Sequence, residues 1–62
     1  MRIEQEAVLQ KAMQPWFDKY PDMRPVLLEE AQLFVDEVQS GGSWEGEMEH
    51  LIDSLNDNVG EV

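Results

Sequence analysis

The apolar residues of this chain recur at intervals of three and four through three successive segments, and no stretch alternates in the manner of a strand. At 100° per residue, Val8, Leu9, Ala12, Met13, Trp16, Phe17 and Tyr20 share one face of a first helix spanning about 3–20. Glu4, Lys11, Gln14 and Asp18 fall on its other face. Leu27, Leu28, Ala31, Phe34, Val35 and Val38 form the apolar face of a second helix over about 23–39. Trp44, Met48, Leu51, Ile52 and Leu55 do the same over about 44–56, and Val59 would extend that face. The expected fold is all-α: a small three-helix bundle forming a single domain of residues 1–62.

The punctuation agrees with this division. Pro15 removes a backbone donor and sets its ring against the carbonyl of Lys11. The apolar phase nevertheless continues from Met13 through Trp16 to Tyr20, which favours a kinked first helix over a stop at Gln14 and a restart at Pro15. Tyr20-Pro21 ends the segment, because a residue before proline avoids helical angles. Asp22 is the expected N-cap of the second helix, with Pro25 tolerated in its first turn. Ser40-Gly41-Gly42 stops that helix, and Ser43 is the expected N-cap of the third. Glu45 and Glu47 suit the positive end of its dipole, whereas Gly46 weakens the first turn by about 1 kcal/mol relative to alanine. Residues 57–62 are expected to fray.

A chain of 62 residues has a small core and ordinarily needs disulfides, metal, oligomerisation or very regular packing. There is no cysteine, which removes disulfides and thiolate metal sites and fits a reducing, cytoplasmic setting. No secretory leader or membrane-spanning run is read in the sequence. The two Trp, two Phe and one Tyr are more aromatic surface than three short helices readily hide. A homodimer is the expected remedy, with Trp16, Phe17, Tyr20 and Trp44 as candidate dimer or docking residues.

Charge narrows the function. Fourteen Asp and Glu stand against four Lys and Arg, for a formal net charge of −10. The bases Arg2, Lys11, Lys19 and Arg24 all precede Pro25, where Glu4, Glu6, Asp18 and Asp22 balance them. The whole acidic excess therefore lies beyond Arg24. Direct nucleic-acid or anionic-membrane binding is not expected, because both require a basic footprint. The natural complement is a protein with a basic surface.

No constellation of residues points to catalysis, and no enzyme is expected. His50 is the single histidine. With Ser54 and Asp53 it could compose a nucleophilic triad only on an exposed helix surface without an oxyanion hole. Glu47 and His50 match the Glu-x-x-His spacing that supplies two ligands in di-iron bundles, but His50 falls on the polar face. No metal and no cofactor are expected.

Two patterns suit partner binding. Leu33, with Val26, is apolar on the acidic face of the second helix, among Glu29, Glu30, Asp36 and Glu37, as an anchor with a charged rim would be. Glu49, Asp53 and Asp57 repeat along the third helix at about 6 Å, a spacing resembling a phosphate backbone. The expected function is that of a small acidic protein-binding regulator or inhibitor covering a surface on a host protein, of the sort phages and mobile elements carry. The alternatives are a DNA mimic blocking a nucleic-acid-binding cleft, and a self-assembling structural subunit.

Overall fold

The computed structural model describes residues 3–62, so Arg2 lies outside the described residues. Three helices make up the fold: α1 (Ile3–Lys19), α2 (Arg24–Gln39) and α3 (Trp44–Asn58), and no strand occurs among the described residues. A single 3-10 turn, Pro21–Met23, links α1 to α2. Among the described residues, no helix is long and apolar enough to cross a membrane.

The 3.6-residue period decides which side chains meet. Leu9, Met13 and Trp16 from α1, Leu27 and Phe34 from α2, and Leu51 and Leu55 from α3 form the buried core. Leu27 and Leu55 are completely buried. Each such leucine stabilises the fold by about 1.5–3 kcal/mol relative to an exposed one. Around this centre, Phe34 meets Trp44 edge to face, with ring centroids 4.9 Å apart and planes at 79°. That arrangement sets the positive edge of one ring on the negative face of the other.

The helices do not share this core evenly. α2 and α3 pack most extensively on each other, while α1 lies mainly along α2. This corrects the helical-wheel expectation at two places. Leu28 and Val8 remain 51% exposed although both lie on apolar faces. A wheel identifies a face but not how closely a neighbouring helix approaches it, and the α1–α2 seam stays open beside Leu28.

The helix ends follow backbone chemistry. α1 runs as one helix with Pro15 inside it. Met23, not Asp22, occupies the N-cap position of α2, and it offers no side-chain cap. The reason is the 3-10 turn, which takes up Asp22 and is closed by Met23 N–H donating to the Tyr20 carbonyl at 3.0 Å. At the far end of α2, Gly41 has φ of 110°. Its N–H donates to the Val38 carbonyl, and the Gly42 N–H donates to the Glu37 carbonyl at 2.9 Å. These paired bonds satisfy the last carbonyls of the helix and require a residue free to take a positive φ. Ser43 caps α3 as expected, its Oγ accepting from Gly46 N–H at 3.1 Å.

The residues after α3, where fraying is expected from the sequence, are placed against α1. Helix α3 continues to Asn58, and the chain then folds back on α1. Trp16 Nε1–H donates to the Gly60 carbonyl at 2.8 Å. The Tyr20 hydroxyl and the Lys19 ammonium donate to the Glu61 carbonyl at 2.6 Å and 2.9 Å. Gly60, with φ of 148°, lies against the Tyr20 ring so closely that a Cβ there would collide with the hydroxyl. Trp16 and Lys19 of α1, together with Tyr20 just after it, thus supply side-chain donors to these terminal carbonyls.

Candidate functional site

Carboxylates are strong hydrogen-bond acceptors that resist burial, so helices rich in them turn those faces outward. On α2 and α3 this leaves one composite surface. Glu30, Leu33 and Glu37 of α2 line a shallow groove with Glu47, His50 and Ser54 of α3. Phe34 and Leu51 form its floor. Leu33, which lines it, is 53% exposed. The acidic rim around that leucine therefore comes from both helices.

The Glu47 side chain is 17% exposed, with one carboxylate oxygen 3.3 Å from His50 Nδ1. His50 itself is 78% exposed. No Lys or Arg forms an ion pair with a carboxylate among the described residues. The rim carboxylates Glu30 and Glu37 consequently carry uncompensated charge beside an apolar anchor.

The expected partner-binding residues divide between two surfaces and open helix face. Glu30, Leu33 and Glu37 come together in the α2–α3 groove. Glu49 and Asp53 flank a second depression on α3, whose apolar lining is Trp44, Met48 and Ile52. Glu29, Asp36 and Asp57 are exposed outside both depressions. Asp36 accepts a hydrogen bond from Gln32 Nε2 at 2.9 Å. Glu47, His50 and Ser54 join the groove without having been expected there. Only the packing of α2 on α3 reveals them, since they lie in a different helix from Leu33.

The aromatic residues are placed differently from the expected docking set. Trp16 is buried and bonded to Gly60, which removes it from the exposed surface. Tyr20 is half-buried and spends its hydroxyl on the Glu61 carbonyl. Trp44 is half-buried against Phe34, with an edge on the α3 depression. Phe17 is half-buried in the α1–α2 groove, and the Arg24 guanidinium lies 5.4 Å from its ring centroid.

The chemistry-bearing residues of α3 are not gathered into a reactive site. His50 and Ser54 border the α2–α3 groove, whereas Asp53 lines the depression on the other side of the helix. Glu47 and His50 do meet, but no group of three or more His, Cys, Asp or Glu side chains is placed to hold a metal ion among the described residues.

No protein family, characterised protein or solved structure matches the chain.

Proposed function

We propose that this chain is a small acidic protein-binding regulator or inhibitor whose α2–α3 face covers a basic surface on another protein. The observation that carries this reading is the half-exposed Leu33, surrounded by Glu30 and Glu37 of α2 and Glu47 of α3. An apolar anchor is the part of an interface that supplies affinity once water is excluded. A ring of one charge sign steers a partner of the opposite sign and fixes its register. A partner helix or loop presenting an apolar residue between Lys or Arg side chains fits both features.

The test is capture from a bacterial lysate with the tagged protein, eluted in a salt gradient. A basic protein should elute at moderate salt, because exposed charge pairs are screened beyond about 8 Å at physiological ionic strength. Glu30→Lys with Glu37→Lys should abolish that capture while the helical circular dichroism spectrum is unchanged. Leu33→Ala should weaken it about tenfold, since a central anchor is worth more than 1 kcal/mol. Capture that survives both variants sinks the reading.

A second reading is DNA mimicry, favoured by Glu49, Asp53 and Asp57, which are all exposed and stand at about 6 Å intervals along α3. In that case Glu49→Lys with Asp53→Lys abolishes capture, the Glu30/Glu37 pair of changes leaves it intact, and the captured protein is itself a nucleic-acid binder.

A further inference from the structure

The groove between α1 and α2 has the opposite character from the acidic face. It is an elongated depression of about 520 Å³. Leu9, Met13 and Phe17 of α1 and Leu28, Ala31 and Val35 of α2 form its apolar length. Leu28, half-exposed, stands in it with no side chain above. Three glutamines, Gln10, Gln14 and Gln39, edge the groove, and its only charged residues are Glu6 and Arg24. In a chain of net charge −10, this apolar surface is locally neutral.

The two charges lie at opposite ends. Arg24 opens α2 and sits over Phe17, near the C-terminal end of α1. Glu6 is eleven residues before Phe17, or roughly 16 Å along the helix. Neither forms an ion pair within its own chain among the described residues. A groove with a cation at one end, an anion at the other and apolar residues between is complementary to itself under a two-fold rotation.

We propose that a second copy of this chain occupies the α1–α2 groove, about a two-fold axis that sets Arg24 of each copy against Glu6 of the other. Like charge argues for this face above the rest. Two copies meeting through α2–α3 would stack carboxylate on carboxylate, which costs several kcal/mol. Meeting through α1–α2 keeps the acidic faces outward and covers Leu28. It leaves the α2–α3 groove free, so this proposal stands or falls independently of the acidic-face reading.

Sedimentation equilibrium of the full chain, from about 5 to 500 µM at about 0.15 M salt, where exposed contact pairs are not yet fully screened, tests it. A reversible dimer is expected. Leu28→Glu should weaken it at least tenfold with the helical spectrum retained, because the residue is half-exposed in the monomer. Arg24→Glu and Glu6→Arg should each weaken the dimer, and the two together should restore it to within about threefold of the parent chain. Within one chain these residues are too far apart to rescue each other, so restoration requires the two-fold arrangement. A wild-type chain that stays monomeric at 500 µM overturns the proposal. So does a dimer indifferent to Leu28→Glu, or one that the double charge swap fails to restore.

Discussion

The α2–α3 hairpin and helix α1 solve the same problem in different ways. The hairpin carries nearly all of the uncompensated charge, yet it is the most extensively packed part of the molecule. Helix α1, with the three described bases on or just beyond it, packs less extensively and is held to the other end of the chain by side-chain hydrogen bonds. Net charge and packing are therefore separable here. Carboxylates at the right helical phase point to water and leave the apolar interface between α2 and α3 undisturbed. Balanced charge on α1 does not close its seam, because seam closure depends on apolar complementarity along α2.

Core truncation gives the largest effect that this contrast predicts. Leu55 is completely buried in the hairpin, whereas Leu9 of α1 is 8% exposed and borders the open groove. Leu→Ala changes in cores cost about 2–5 kcal/mol, with the higher values where the surroundings cannot relax into the cavity. Leu55→Ala should fall near the top of that range and leave much of the protein unfolded at 25 °C, since small domains have few kcal/mol to lose. Leu9→Ala should fall near the bottom. Urea unfolding followed by tryptophan fluorescence measures both, and equal losses would break the comparison.

Next comes the anchoring of α1 by the C-terminal residues. Trp16→Phe removes the donor to the Gly60 carbonyl, and Tyr20→Phe removes one of the donors to the Glu61 carbonyl. Each should cost about 1–2 kcal/mol. Gly60→Ala should cost at least as much, because it forces a side chain onto a positive φ and into the Tyr20 ring. Hydrogen exchange at the Val59 and Gly60 amides, both bonded to the Leu55 carbonyl, should accelerate in all three variants while the α2 amides are little changed. Uniform acceleration across α2 would mean that the terminus is part of one cooperative unit with the hairpin.

This anchoring marks the boundary of what the sequence discloses. Helix identity, the stop at Ser40-Gly41-Gly42 and the Ser43 cap are local, written within a few residues of where they act. The bond from Trp16 to Gly60 spans 44 residues and has no local signature. A terminus rich in Asn, Asp and Gly reads as loose because the three side chains bonded to it, Trp16, Lys19 and Tyr20, lie far away in the sequence. The site divides along the same line. Leu33 and its neighbouring acids on α2 are visible on a helical wheel, but the contribution of Glu47 from α3 depends on how the two helices meet. The same limit explains Leu28: its apolar phase is legible, whereas the distance to α1 is not.

Salt acts on the two faces in opposite directions. Between 0.05 and 0.5 M salt, capture of a basic partner by the α2–α3 face should weaken several-fold as its charge pairs are screened. Self-association through α1–α2 should strengthen over the same range, because screening two chains of net charge −10 outweighs the loss at a few exposed Glu6–Arg24 contacts worth at most about 1 kcal/mol each. Parallel responses would show that both associations use the same surface.

The smallest expected effect concerns the start of α3, where a glycine stands at a position whose helix propensity alone would favour alanine. Gly46 N–H donates to Ser43 Oγ, and a Cβ on Gly46 would lie 2.7 Å from that oxygen. Alanine there contributes up to about 1 kcal/mol of helix propensity. It also pushes the capping hydroxyl away, and that cap is itself worth about 1 kcal/mol. Gly46→Ala in the parent chain should therefore change stability by only a few tenths of a kcal/mol. In a Ser43→Ala background, where no cap remains to be displaced, the same change should stabilise by nearly the full propensity difference. The double-mutant cycle isolates the coupling. A coupling near zero would mean that Ser43 rotates to keep its bond beside a side chain at residue 46. Glycine would then be an unneeded weakness in the first turn of α3, and the hairpin's extensive packing would rest on its apolar interface alone.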